Sequence, residues 1–424
     1  MSGASARHGA VLLALALLAP PLAGGRPGEA VAPVPALRGS LQAAEVVLVI
    51  NEADPASVET GAYYQARRGI PERNVIRTRF ASGVSALSPA EFETLYEEVR
   101  RRTPAQAQAY ALAWTRPYRA GCMGITAAFA FGWDEAFCSA GCRPTRASPY
   151  FDSASGRAWS DHGLRPAMLL AGRSVADVRA LIDRGIAADH TYPAGTAYLA
   201  STADKARNTR AAESAATAGL IGKVFGVRRV QGVLRDRDDV MAYFTGLAQV
   251  PGLDTLRFRP GAVADHLTSF AGQLTDSPQM SALQWLQAGA TGSYGTVTEP
   301  CAFPQKFPHP GVFLVHYLDG ETLIEAYWKS VAWPGEGVFI GEPLARPFGA
   351  RVRMGAAGWM LEAHAPAPGR RYLVRAVPSP RDPGDVIGVI ALRPGRNRIG
   401  LPPFEESVAI DPYPPVVPGV SPAK

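Results

Sequence analysis

The chain reads as an α/β protein: a mostly parallel sheet with helices on both faces and a small β appendage near its C-terminal end. Three observations predict it. Residues 45–51, EVVLVIN, form a continuous apolar run of the kind that fills a parallel strand buried on both faces. Strand-like runs then alternate with helix-like ones, the pattern of a parallel sheet covered by crossover helices. The composition, 47% hydrophobic and 19% charged over 424 residues, belongs to a folded chain with a sizeable core.

The elements follow in order. Asp54 caps the first helix, with Pro55 in its first turn and Gly69 past its end. Ile70-Pro71 turns the chain into a second strand, 74–80. Ser88-Pro89-Ala90-Glu91 has the form of a capping box and opens an amphipathic helix through Arg102. The third strand, 109–115, runs out into Arg116-Pro117-Tyr118. Residues 122–152 read as a long ordered loop with one short helix. A strand over 166–170 resumes the rhythm, and Ser174 caps a helix over 175–189. Strands follow at 196–200 and 224–230, with a helix at 209–220, and 239–245 leads to Gly246. A short strand at 262–267, a helix at 281–288 closed by Gly289, and a strand at 291–298 come next. Helices at 310–318 and 322–330 lead to a last core strand, 337–340. Beyond about residue 352 the runs 372–377 and 386–392 are strand-like, 395–398 is turn-like, and the chain from Pro412 is Pro-rich. No internal repeat is visible.

Arg7 and His8 precede an apolar run, 10–19, followed by Pro20-Pro21 and small residues. This is the layout of a secretory signal peptide, and the run is short for a bilayer span. No later apolar run is long enough to span one, so no transmembrane segment is expected once the leader is removed. The expected compartment is periplasmic or extracellular. There the four cysteines favour disulfides, with Cys122, Cys138 and Cys142 as candidates and at least one bridge within 122–142. The net charge is +6, but the arginines are scattered, and the one tight cluster, Arg100-Arg101-Arg102, ends a helix where cations suit the dipole. With no P-loop and no glycine-rich dinucleotide fingerprint, neither nucleotide nor nucleic acid is an expected partner, and no cofactor is expected.

The densest set of reactive side chains lies in 258–300, strand–turn–helix–strand. Ligands in open α/β sheets sit outside the carboxyl ends of strands. Asp265, His266, Thr268, Ser269, Glu299 and Cys301 fall near two such ends. His266 and Ser269 are candidates for a base and a nucleophile, with Cys301 as the alternative nucleophile. Asp265 is adjacent to His266 and so points to the opposite face of the strand, which leaves it unable to orient the ring. The other reading is a capped turn beside a packed histidine, with Cys301 in a disulfide. Trp114 to Arg119 places aromatics and guanidinium groups at another strand end, suited to a carboxylate, sugar or peptide, or to an internal network with Glu299. The predicted ligand-binding set is Arg116, Tyr118, Arg119, Asp265 and Glu299, and of these Arg116, Tyr118, Arg119 and Glu299 are expected to line one anion-preferring crevice with His266 and Ser269. Asp134, Glu135, Asp152, Asp161 and His162 lack metal-ligand spacing and read as turn caps, so no metal is expected.

Several stretches together carry a resemblance: VLVINEADPASVETGAYYQARRGIPERNVI, AWTRPYRAGCMGITAAFAFGWDEAFC, GTVTEP and GEPLARPF. Over roughly residues 45–348 the chain resembles an uncharacterised family of exported bacterial proteins found in genomes with the exosortase protein-sorting system. More distantly, the order of elements is similar to the gingipain-type, caspase-like cysteine peptidases. Leu169-Leu170-Ala171-Gly172-Arg173 and Gly341-Glu342-Pro343-Leu344 look like two strand ends of that group. In such peptidases one strand ends in Gly-His-Gly and the next in the nucleophilic Cys. The matching stretches here, 243–247 and 265–269, carry neither the His nor the Cys. The resemblance implies a caspase-like core with altered catalytic positions.

The expected organisation is a signal peptide (1–25), a linker (26–44), the α/β core (45–349), the β appendage (350–411) and a tail (412–424). The expected role is an exported envelope protein that binds a peptide, glycan or envelope-protein partner. The alternatives are a hydrolase or peptidase using His266 with Ser269 or Cys301, and a structural envelope component.

Overall fold

The computed structural model describes residues 35–139, 142–298, 301–356, 358–377, 384–404 and 407–413. The expected leader, residues 26–34 of the linker and Glu299 lie outside them. The core is one ten-stranded sheet. Its strands are β1 (Val46–Asn51), β2 (Val75–Thr78), β3 (Ala109–Leu112), β4 (Ala167–Leu169) and β5 (Thr196–Ser201). They continue with β6 (Gly226–Gln231), β7 (Arg237–Thr245), β8 (Leu256–His266), β9 (Gly292–Thr296) and β10 (Gly337–Gly341). The spatial order is β6-β5-β7-β8-β9-β10-β4-β3-β1-β2. Neighbours from β6 to β9 and from β4 to β2 pair in parallel. β10 is antiparallel to β9. Glu342, just past β10, takes Arg68 from the end of the first helix, so β10 finishes at the sheet edge where the other strands begin. The sheet is thus mostly parallel, and it unites the strands around 45–51, 74–80, 109–115, 262–267 and 291–298.

The helices are α1 (Pro55–Arg68), α2 (Pro89–Arg102), α3 (Ile125–Phe131), α4 (Ala158–His162), α5 (Val175–Ala188), α6 (Ser214–Ile221), α7 (Leu283–Ala288), α8 (Pro310–Leu318) and α9 (Leu323–Ser330). Their ends obey local chemistry. Asp54 accepts from the Ala56 amide at 3.0 Å, and Gly69 closes α1 at φ 65°, where a Cβ is costly. Ser88 and Ser174 form the two capping boxes that open α2 and α5. β1, β3 and β4 are buried along their whole length, as parallel central strands must be.

Some expectations are corrected. β8 is longer than the apolar run 262–267, because the Pro260-Gly261 step is absorbed as an irregularity: Val240 pairs with Phe258 but Ala242 with Val263. The helix expected at 209–220 is a 3₁₀ turn, Thr209–Glu213, followed by α6. Residues 395–398 are not a turn but part of the strand Gly395–Gly400. That strand completes a three-stranded sheet with the hairpin Arg351–Gly355 and Gly358–Ala365. A second sheet pairs Arg371–Ala376 with Asp385–Ala391 and Val408–Tyr413. Ala36–Leu37, from the stretch taken as linker, adds to it beside Val408–Tyr413, so Pro412 lies in a strand rather than a tail. The two small sheets share a core that includes Leu361, Ala363, Tyr372, Leu392 and Ile410.

Two disulfides are present. Cys122 bonds Cys138 across 16 residues, inside the stretch expected to hold a bridge, and Cys142 bonds Cys301 across 159. Both suit an oxidising compartment. Among the described residues no helix is long and apolar enough to cross a membrane.

Candidate functional site

At the carboxyl edge of β1, β3 and β4 lies a crevice of about 590 Å³. Its walls come from separate elements: Ser57 and Thr60 of α1 with its cap Asp54, Trp114 to Arg116 after β3, and Gly172 to Ser174 after β4. Leu274 and Thr275, from the loop after β8, close one side. The framework is hydrogen-bonded. The Thr115 hydroxyl donates to the Gly172 carbonyl at 2.8 Å and accepts the Gly172 amide at 3.1 Å, tying two strand ends together. The Trp114 indole donates to the Pro117 carbonyl at 3.1 Å, across the cis Arg116–Pro117 peptide. A Cβ at Gly172 would lie 2.8 Å from Val178 and 3.0 Å from Asp177, so the close approach of α5 needs glycine there.

Two guanidinium groups, Arg116 and Arg173, are exposed at this crevice. Among the described residues neither has an ion-pair partner. The first turns of α1 and α5 also open here, and helix N-termini add partial positive charge. Asp54 and Ser174 cap those helices. A larger cavity, about 820 Å³, lies between core and appendage, but its charged walls are largely spent on one another. There Arg157 pairs with Glu45 at 3.2 Å, and Arg370 with Asp319 at 2.7 Å.

The set expected to line one crevice is divided. Arg116 lines it. Tyr118 does not: it is buried and donates to Asp276, whose other oxygen accepts from Ser85 at 2.7 Å. Burial and that bond push the Tyr118 phenol up to about 12. Arg119 is half-buried beside the same carboxylate. Asp276 was missed in the sequence, because nothing local marks a loop that crosses from the end of β8 to the end of β3. Arg173 had a readable signal: it follows a strand end and precedes a helix cap.

The carboxyl end of β8 is closed. His266 is wholly buried; its Nδ1 accepts from the Trp285 indole at 2.9 Å and its Nε2 donates to the Met280 carbonyl at 3.0 Å. Burial lowers its pKa to about 3, so the ring is neutral. With both nitrogens engaged it has none to offer Ser269, and the expected base–nucleophile pair is not formed. Asp265 faces the other side of the strand, as alternation requires, and pairs with Arg210 at 2.5 Å. Burial raises this carboxyl to about 6 against the pull of Arg210. Arg207 donates to the Thr268 hydroxyl at 3.0 Å, and its own carbonyl would lie 1.9 Å from a Cβ on Gly246. The space left beside Arg207 and Gly246 is about 10 Å³, the room one water takes. Cys301, tied to Cys142, has no thiol to attack with.

The acidic loop residues serve their neighbours. Asp134 caps a 3₁₀ turn through the Ala136 amide and pairs with Arg146; Asp152 meets His316 at 3.1 Å. Asp161 accepts from Ser155, and His162 meets the Ser153 hydroxyl at 2.8 Å. Among the described residues no group of His, Cys, Asp and Glu is arranged to hold a metal ion.

Comparison of the chain with protein-family models, curated proteins and solved structures returns no match.

Proposed function

We propose that this is an exported binding protein whose carboxyl-edge crevice takes an anionic group, a carboxylate first of all, from a peptide, glycan or envelope-protein partner. One observation carries the reading. Arg116 and Arg173 stand exposed on a crevice of about 590 Å³ with no ion-pair partner among the described residues. That volume lies inside the usual range for ligand sites, and a guanidinium presents paired donors to a carboxylate. The helix starts beside them favour the same charge. The two disulfides support export, as does the resemblance of the leader to a signal peptide. The engaged ring of His266 and the disulfide at Cys301 speak against the hydrolase reading.

The test is a titration of the exported protein with triglutamate and with digalacturonate, followed by calorimetry. Binding of either probe that is lost in R116A/R173A supports the reading. Binding unchanged in that variant, or no binding of either probe, overturns it. Export is tested separately: residues 1–40 fused to a reporter should carry it out of the cytoplasm.

A further inference from the structure

The three-stranded sheet of the appendage carries a second site. In the strand Gly358–Ala365, Leu361, Ala363 and Ala365 point into the sandwich, so Glu362 stands on the other face together with His364, which is buried there against Leu318 and Phe348 of the core. Register sets Arg351 on one side of it and Arg398 on the other. On the same face Arg353 lies across from Met360 and Arg396 across from His364, two residues from Glu362 in opposite directions. All four guanidinium groups converge on this one carboxylate. Glu362 Oε2 takes Arg351 Nε at 2.8 Å and Nη2 at 2.7 Å; Oε1 takes Arg353 Nε at 3.1 Å and Nη2 at 3.0 Å. Arg398 Nε is 3.3 Å from Oε1, and Arg396 Nη2 is 3.9 Å from Oε2.

The carboxylate is itself inaccessible, while the arginine side chains remain 39%, 44%, 38% and 57% exposed for Arg351, Arg353, Arg396 and Arg398. Four positive charges therefore surround one negative charge, and the surplus faces solvent. Glu362 cannot satisfy them: Arg351 and Arg353 use its oxygens, and Arg398 and Arg396, the latter also over the Tyr192 ring at 4.5 Å, are left with the longer contacts. It holds the array in place instead. Side chains two residues apart on a strand are about 7 Å apart, and the two flanking strands are about 10 Å apart. The four side chains thus start from staggered positions on a rigid sheet, and their guanidinium groups draw together around Glu362 as one basic cluster.

We propose that this face binds an acidic polysaccharide, with Arg396 and Arg398 as the principal contacts and Glu362 as the residue that positions Arg351 and Arg353. A cluster of partly exposed guanidinium groups matches a chain with repeated carboxylates or sulfates. A membrane surface fits less well. Peripheral membrane faces combine basic residues with an apolar surface that enters the lipid. The exposed apolar residue closest in sequence, Met354, follows Arg353 on its strand and points to the opposite face. This site is separate from the crevice and does not depend on its reading.

The experiment measures binding of the full exported chain to heparin and to polygalacturonate across a range of salt. R396A/R398A should lose on the order of tenfold or more in affinity. Its salt dependence should flatten, since fewer ion pairs are screened. R228A/R229A, which removes two exposed arginines from β6, should bind like the parent. R398E alone, at the most exposed position of the four, repeats the test should the double variant fail to fold. Equal losses in R396A/R398A and R228A/R229A mean general basicity and overturn the site. So does undiminished binding in R396A/R398A. Binding to phosphatidylglycerol vesicles but to neither polysaccharide replaces it with a membrane face.

Discussion

β1 to β4 enter the sheet in the spatial order β2-β1-β3-β4, and β5 to β8 in the order β6-β5-β7-β8. The two flanks are built by the same succession of strands, and β9 and β10 fill the middle. Each flank presents a carboxyl edge, the usual place for a ligand in such sheets. On the first flank that edge is a crevice of about 590 Å³ with Arg116 and Arg173 exposed. On the second, Arg207 and the backbone around it lie over Gly246, and about 10 Å³ remains there. The ionisable groups follow the same division. On the first flank they are exposed; on the second, Asp265 and His266 are buried and engaged. One topology thus offers two edges, and side chains decide which of them can be a site.

The largest effect should come from the bridge that links the first flank to the middle of the sheet. Cys142 lies between β3 and β4, and Cys301 follows β9. Closing a span of 159 residues restricts the unfolded chain by about 5 kcal/mol in the chain-entropy account, against about 3 kcal/mol for the 16-residue span of Cys122 and Cys138. C142S/C301S should therefore lose more stability in urea than C122S/C138S. The reverse order would mean that the first flank's own loop, not its joint to the middle of the sheet, governs the fold.

Next comes the closed edge. Arg210 is 5% exposed and Asp265 not at all, and R210A leaves that carboxylate buried without its partner. A loss of roughly 3–5 kcal/mol is expected. If R210A unfolds at the same urea concentration as the parent, the pair is not what holds the second flank shut.

Much of this contrast could be read from the chain, and part of it could not. Strand and helix positions were legible because parallel strands buried on both faces are written as apolar runs, and because Asp54, Ser88 and Ser174 announce helix starts. The opposite facing of Asp265 and His266 followed from strand periodicity alone. The fate of His266 did not, since Trp285 and Met280 reach it through tertiary packing. The repeated strand order was invisible too, because two flanks can share a topology without sharing residues. In the appendage, Gly395–Gly400 looked like a turn: its Gly-Arg-Asn-Arg start is polar, and its pairing with Gly358–Ala365 is what makes it a strand. The same pairing gathers the arginines around Glu362, which are far apart in the chain.

A smaller effect separates the two buried groups of the second flank by pH. Burial lowers His266 to about 3, below its unfolded value near 6.5. Its contribution is present above about pH 6.5 and is lost as pH falls toward 3. Burial raises Asp265 to about 6, above its unfolded value near 3.9. Its contribution is present below about pH 3.9 and is lost as pH rises through 6. Between pH 4 and 6 the two slopes oppose each other, each approaching about 1.4 kcal/mol per pH unit. H266Q removes one of them. Relative to the parent, its stability should rise as pH falls through that window, whatever its absolute value. Parallel pH profiles for parent and H266Q would show that the ring is not held neutral by the fold.

The smallest effect on stability should be the one at the open edge. Arg116 and Arg173 are exposed and have no ion-pair partner among the described residues, so truncating them removes no folded-state pair. Surface changes of this kind stay within about 0.5 kcal/mol. R116A/R173A should therefore melt like the parent while losing the acidic probes. Relieving repulsion between two like charges in one crevice could even raise its stability slightly, and that rise should shrink as salt screens the pair. A marked loss of stability would place these arginines in the framework, alongside Arg210, and erase the distinction between the flanks. Retained stability with lost binding keeps it, because a group the fold does not need and the ligand does is what sets a site apart from a scaffold.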